Sequence, residues 1–246
     1  MGAFQVVRAI GPIDVKSVGR DSLLRWVLLL PLLLGAAVRW VLPDVVGSVG
    51  DLIQIELLSY LPIVLSYALL LLTPIMAGVL IGFLLLDQRD DHTLTAIQVT
   101  PLPMRNYLAY RLAVPMLLSL LLTLGVFPLA GLMDVGWVPL LLASLVATPL
   151  APIFALTLAA FAENKVQGFA LMKALGVLYF PPLIAYFVPA PWQWAFGIMP
   201  NFWPAQLYWL AQAGDPNYWI SLPIGLAYQA ILLVLLVRRF NVVMHR

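Results

Sequence analysis

Residues 57–86 read LLSYLPIVLSYALLLLTPIMAGVLIGFLLL, a stretch without one charged side chain. A bilayer's hydrocarbon core is about 30 Å thick, and a helix rising about 1.5 Å per residue crosses it in about 20 residues. The stretch is therefore long enough to span a membrane with residues to spare. Backbone polar groups in hydrocarbon must be satisfied within the chain, so a run of this kind is read as a helix. It fixes the fold class as an all-α integral membrane protein, and the remaining spans follow by reading outward from the charges that flank it.

A charge at the bilayer centre costs about 2.5 to 3.5 kcal/mol on insertion scales, so charges mark where spans end. Six transmembrane helices result, over residues 23–42, 61–86, 112–133, 137–162, 171–188 and 219–237. Arg25 and Arg39 stand near the ends of the first, with Trp26 and Trp40 placed for the two interfaces. The composition agrees: 63% of the 246 residues are hydrophobic and 10% charged, against about 25% charged in soluble domains. This excludes a soluble enzyme and leaves a single transmembrane domain over residues 1–246. The absence of cysteine excludes disulfides, thiolate metal sites and a cysteine nucleophile. A formal charge of +2 on so apolar a chain gives no reason to expect nucleic acid as a partner.

Ala174–Gly214 carries no charge and is long enough for two spans. Orientation decides for one. With six spans, Arg8, Lys16, Arg20, Arg25, Arg89, Arg105, Arg111, Lys165, Lys173, Arg238, Arg239 and Arg246 share one side and only Arg39 lies on the other. The positive-inside rule then places both termini in the cytoplasm. The segment 192–212, with Pro200, Asn201, Pro204, Gln206 and Gln212, suits an interfacial or re-entrant element lying against protein. Phe4–Val18 mixes apolar and charged positions like a helix lying along the membrane surface, with Gly11 and Pro12 expected to break it midway. Its apolar run begins only at Leu23, so a cleaved signal is not expected.

The spans hold almost no ionisable groups, and Arg39 and Lys173 stand close enough to helix ends to snorkel. Ser66, Tyr67, Thr73, Ser119, Thr123, Thr148, Thr157, Tyr179 and Tyr186 are expected to bond their own helix or a neighbour. Ala143, Ala147, Ala151, Ala155 and Ala159 form a ridge of small residues, and Gly78 with Gly82 a GxxxG; both read as surfaces of close helix packing. Pro31, Pro74, Pro115, Pro128, Pro149, Pro152, Pro181, Pro182 and Pro223 predict kinks in the spans.

Between the second and third spans the chain reads DQRDDHTLTAIQVTPLPMRNYLAYR from Asp87 to Arg111. Asp91 is placed to cap a helix starting at His92, and Pro101 disfavours helix at Thr100, which leaves about two turns. Leu94 and Ile97 share one face at i, i+3 spacing. So short a helix is marginal alone and forms when its apolar face docks against something.

The sequence Asp90, Asp91, Thr93, Leu94, Ile97, Val99, Thr100, Pro101, Leu102, Tyr107, Arg111 resembles the permeases of the ABC-2 type exporter superfamily. The likeness extends to six spans, termini inside, a surface-lying N-terminal segment and an aromatic, proline-bearing region between spans five and six. Within the superfamily the chain is most similar to the small bacterial drug-export permeases, the fluoroquinolone-export type among them. The resemblance implies that Asp90, Asp91, Thr93, Leu94, Ile97, Thr100, Pro101 and Leu102 form a coupling element seated in a separate ATP-binding subunit. That subunit would hold ATP and magnesium; this chain would hold no cofactor and no metal. A homodimer or a heterodimer with a second permease is implied. His92 and Thr95 depart from the family, many members having glycine and an acidic residue there.

No G-x-x-x-x-G-K-[ST] phosphate loop occurs in the chain. Its two histidines, His92 and His245, lie outside the spans, which excludes a histidine proton relay within the membrane. Uphill transport therefore points to an associated ATPase. Two other readings stay open. Asp87, Asp90 and Asp91 are hard-cation ligands of the kind membrane transferases use to hold magnesium and a diphosphate, and an ion-coupled carrier would need intramembrane carboxylates that are missing. Trp192, Trp194, Trp203 and Trp209 fall between spans five and six, where tryptophan suits an outer interface; they are read as an external cap. An apolar, sparsely hydroxylated interior favours a lipophilic or amphipathic cargo, and no substrate-binding residue is assigned.

Overall fold

The computed structural model describes residues 3–53, 57–90, 104–131, 135–189 and 191–244. Among these, all regular structure is helical. Six runs are long and apolar enough to cross a membrane: Ser22–Trp40, Leu57–Asp90, Asn106–Ala130, Trp137–Phe161, Lys165–Phe187 and Tyr218–Val243. They overlap the six expected spans. Two begin earlier than the charges implied. The third belongs to a helix Met104–Ala130 that runs through Arg111, and the fifth starts at Lys165, N-capped by Asn164, whose side chain accepts from the Gln167 N–H. Both cations are ion-paired, so that Arg111 does not end its helix and Lys165 can begin one.

The second span is the axis of the bundle, with 89% of its apolar window buried against 17–28% for the first, third, fifth and sixth spans. Its closest neighbour is the fourth span, in which Trp137–Ala147 and Leu150–Phe161 meet at Thr148–Pro149. Gly78 and Gly82 face the alanine ridge. A Cβ on Gly78 would stand 2.3 Å from the Ala151 carbonyl oxygen, and one on Gly82 would stand 2.7 Å from Leu158 Cδ1 and 3.3 Å from Ala155 Cα. Two sequence patterns that are weak apart are the two sides of one seam, closed by backbone-to-backbone contact. The spans' hydroxyls serve their own helices: Ser66, Thr73, Ser119, Thr148 and Thr157 donate to carbonyls three or four residues back.

Three features differ from expectation. The N-terminal helix, Ala3–Arg20, runs through Gly11 and Pro12 without a break. Proline removes only one hydrogen bond here, while Ile10 and Asp14, on either side of it, are both buried, so packing holds the two halves in line. A further helix, Leu42–Ile53, follows the first span after a single residue. The tryptophans of the expected cap also divide. Trp192 and Trp194 are exposed, but Trp203 and Trp209 are 8% and 6% exposed and belong to the core. They lie on a helix, Phe202–Gln212, buried from Phe202 to Trp209 against the fourth and sixth spans and the start of the second. Tryptophan satisfies an interface and a core equally well by composition, and this helix has core on every side.

The fifth span is two helices, Lys165–Val177 and Pro181–Phe187. Proline at the first positions of the second piece is tolerated because that turn needs no N–H. The second span carries a wider π-helical turn at Ser66–Leu71. These two irregularities meet: the Tyr179 hydroxyl donates to the Tyr67 carbonyl, and Asn201 Nδ2 donates to the Tyr179 carbonyl at 3.0 Å.

Candidate functional site

The residues flanking the loop between the second and third spans are brought together by ion pairs. Arg111, 1% exposed, sits one turn after Tyr107 on the third span's helix. Its guanidinium donates Nη1 to Asp14 Oδ2 at 2.8 Å and Nη2 to Asp14 Oδ1 at 3.2 Å, a forked pair on the N-terminal helix. Its Nε donates to the Tyr107 hydroxyl at 3.2 Å. Tyr107 in turn donates to Gln88 Oε1 at 2.8 Å, on the last turn of the second span. Tyr110 donates to Asp14 Oδ2 at 2.9 Å, and the guanidinium lies over the Tyr107 and Tyr110 rings at 5.3 and 5.5 Å. Every polar atom of the pair that faces inward has a partner, which is what makes a buried ion pair tolerable.

A second node lies beside it. Lys165 at the head of the fifth span reaches Asp21 Oδ2 at 3.0 Å and Asp87 Oδ1 at 2.8 Å. Asp21 also caps the first span, its Oδ1 accepting from the Leu23 N–H at 2.8 Å. The lysine's hydrogen bond, ahead of the backbone donors, holds the Asp21 carboxyl below the usual carboxylate range. Arg89 closes the edge by donating to the Ala162 carbonyl at 3.2 Å.

Of the residues expected to couple to an ATPase, Asp90 ends the second span and is exposed. Asp91, Thr93, Leu94, Ile97, Thr100, Pro101 and Leu102 lie outside the described residues. Of the aspartates of the transferase reading, Asp87 is paired with Lys165 and Asp90 is exposed; among the described residues no group of three His, Asp or Glu converges. No sequence motif marks Asp14, Asp21, Gln88 or Tyr110 as members of this cluster. The available signal was two acids within a basic N-terminal segment and an arginine heading an apolar run.

The opposite end of the bundle is joined chiefly by neutral groups, beside one cation, Arg39, whose Nη1 donates to the Leu129 carbonyl at 3.4 Å. Trp209 Nε1 donates to Ser66 Oγ at 2.9 Å, and Tyr186 stacks edge-on against Trp209 at 5.1 Å. Gln206 Nε2 donates to Gln193 Oε1 at 3.3 Å, Gln193 to the Ala185 carbonyl at 3.0 Å, and Gln229 to the Pro200 carbonyl at 2.9 Å.

A six-span helical bundle whose described Ser and Thr hydroxyls bond their own helices, while Asn201, Gln193, Gln206 and Gln229 bond neighbouring segments, has the architecture of a multi-pass membrane permease. The sequence matches the family described as "Fluoroquinolones export permease protein Rv2686c-like" over residues 14–237, and the chain belongs to that family of ABC-2 type export permeases. Two curated relatives from Mycobacterium tuberculosis are each 32% identical over 239 residues, 96% of this chain and 94% of theirs. They are the fluoroquinolones export permease proteins MT2760 of strain CDC 1551 / Oshkosh and Rv2686c of strain ATCC 25618 / H37Rv. No solved structure matches the chain.

Proposed function

We propose that this chain is the membrane-spanning subunit of an ATP-driven exporter, with both termini in the cytoplasm. The loop 91–103 is the seat of a separate ATP-binding subunit, and the cargo is an amphipathic, fluoroquinolone-like compound. The observation that carries the reading is membership, across nearly the whole chain, of a family whose relatives are export permeases. The missing phosphate loop supports a partner ATPase, and the distribution of Lys and Arg supports the orientation. Two permease subunits, identical or not, enclose the path; ATP-driven closure of the partner subunits pushes on the loop and rearranges the spans.

Purification from the native membrane in mild detergent tests this. A stoichiometric subunit bearing a phosphate loop is expected, and Leu94→Asp with Ile97→Asp should release it and abolish export. Repeated recovery of the chain without an ATPase, under conditions where a control transporter keeps its own, refutes the reading.

A further inference from the structure

The polar cluster around Arg111 stands where both stems of the loop 91–103 and the N-terminal helix meet. Gln88 belongs to the stem that enters the loop, Tyr107 and Arg111 to the stem that leaves it, and Asp14 to the N-terminal helix. Only Asp21 separates that helix from the first span, and Asp21 is held through Lys165 to Asp87, on the entering stem again. Both stems are therefore fastened to the N-terminal segment by ionic contacts.

An apolar trio of side chains would hold three helices together as well, since a buried ion pair adds little over well-packed hydrophobic residues of the same volume. A forked guanidinium–carboxylate pair adds a fixed direction and register, because both N–H bonds are satisfied in only one relative placement of the helices. Tyr107 extends that constraint to the second span through Gln88.

We propose that Asp14, Arg111, Tyr107 and Gln88 form a rigid link through which displacement of the loop moves the N-terminal helix and the first span as one body. This rests on the reading of the loop as the ATPase's seat. Asp14 and Arg111 are positioning residues: they touch neither cargo nor nucleotide, and they set how far movement of the loop travels.

The chain has no cysteine, so labels can be placed without a background. Lys16→Cys and Arg238→Cys are both exposed, the first on the N-terminal helix and the second on the sixth span, which packs against the fourth rather than against the cluster. The pair is labelled with nitroxides in the reconstituted permease–ATPase complex, and the distance is measured without nucleotide and with ATP trapped. The expected result is a shift of several ångströms on trapping. In an Asp14→Leu, Arg111→Met background, chosen to keep the core packed, that shift should vanish and cargo exported per ATP should fall at least tenfold while the ATPase subunit still co-purifies. A nucleotide-dependent shift that survives in the double variant, export per ATP that is unchanged in it, or no shift in the parent chain overturns the proposal. Failure of the ATPase to bind the parent chain is a different result, and it strikes the reading of the loop instead.

Discussion

At the end of the bundle that carries both termini, Asp14 pairs with Arg111 and Lys165 bridges Asp21 and Asp87. At the opposite end, Trp209 bonds Ser66, Tyr179 bonds a backbone carbonyl and glutamines bond one another. One end is tied by ion pairs, the other, apart from the exposed Arg39 bond to the Leu129 carbonyl, by neutral donors and rings. Charged contacts are strong only where they are desolvated and complete, and they are sensitive to salt and pH where they are not. Neutral contacts between helices contribute individually little and respond to neither. The ionic end is therefore built for fixed geometry at a few points, and the neutral end holds its helices by many small contributions.

The largest expected effect lies in the buried ionic node. Asp14→Ala leaves the Arg111 guanidinium buried without its partner and should cost about 3 to 5 kcal/mol, read as a collapse of thermal stability in detergent. The double variant Asp14→Leu, Arg111→Met should recover most of that loss; if it is as damaged as the single variant, charge is not what distinguishes this end. Next comes the seam between the ends. Gly78→Leu must separate the second and fourth spans, because even a Cβ would meet the Ala151 carbonyl. Its overpacking should cost about 1 to 3 kcal/mol in the same melt.

At the neutral end, Trp209→Phe keeps the ring and loses the bond to Ser66, for an expected loss of about 0.5 to 1.5 kcal/mol that does not vary with salt. A marked salt dependence would erase the contrast. The smallest effect belongs to Lys165→Met, under about 1 kcal/mol because the lysine is 36% exposed and screened by solvent. That contribution should shrink further in high salt. Since Lys165 depresses the Asp21 carboxyl, the native state binds fewer protons there than the unfolded chain. The bridge's contribution is complete above the unfolded value of about 3.9 and is lost as pH falls through the lower native one. Melts between about pH 6 and pH 3 should therefore bring wild type and Lys165→Met together at the acid end.

The sequence announces what depends on local pattern. Charge-free runs locate the six spans, the Gly78–Gly82 and alanine periodicities identify surfaces that prove to be partners, and back-bonding of hydroxyls follows from residue type. It does not announce pairing across distance. Asp14 and Arg111 are far apart in sequence, and nothing periodic links an acid in a surface-type helix to an arginine heading a span. For the same reason Arg111 reads as the end of a span, when its partner lets the helix run on through it. Trp203 and Trp209 were assigned to an interface because the indole suits wet and dry surroundings alike; only the elements around Phe202–Gln212 decide between them. Pro12 reads locally as a break, and the buried contacts of Ile10 and Asp14 override it. Of the candidate site, the motif carries Asp90, Tyr107 and Arg111 together with the loop residues 91–102, whereas the pairing of Arg111 with Asp14 and the bridge from Asp87 through Lys165 to Asp21 follow from three-dimensional contact alone.

The glycine seam also bears on the order in which the protein is made. The second span leaves the ribosome before the fourth, and until the fourth arrives its bare Gly78 and Gly82 backbone has no ridge to pack against. For that interval the early helices stand in the bilayer, or beside whatever insertion machinery shields them, with the future axis of the bundle facing lipid. Consolidation of the axis therefore waits on translation beyond Phe161, and a chain halted between the third and fourth spans presents an unsatisfied face to membrane quality control.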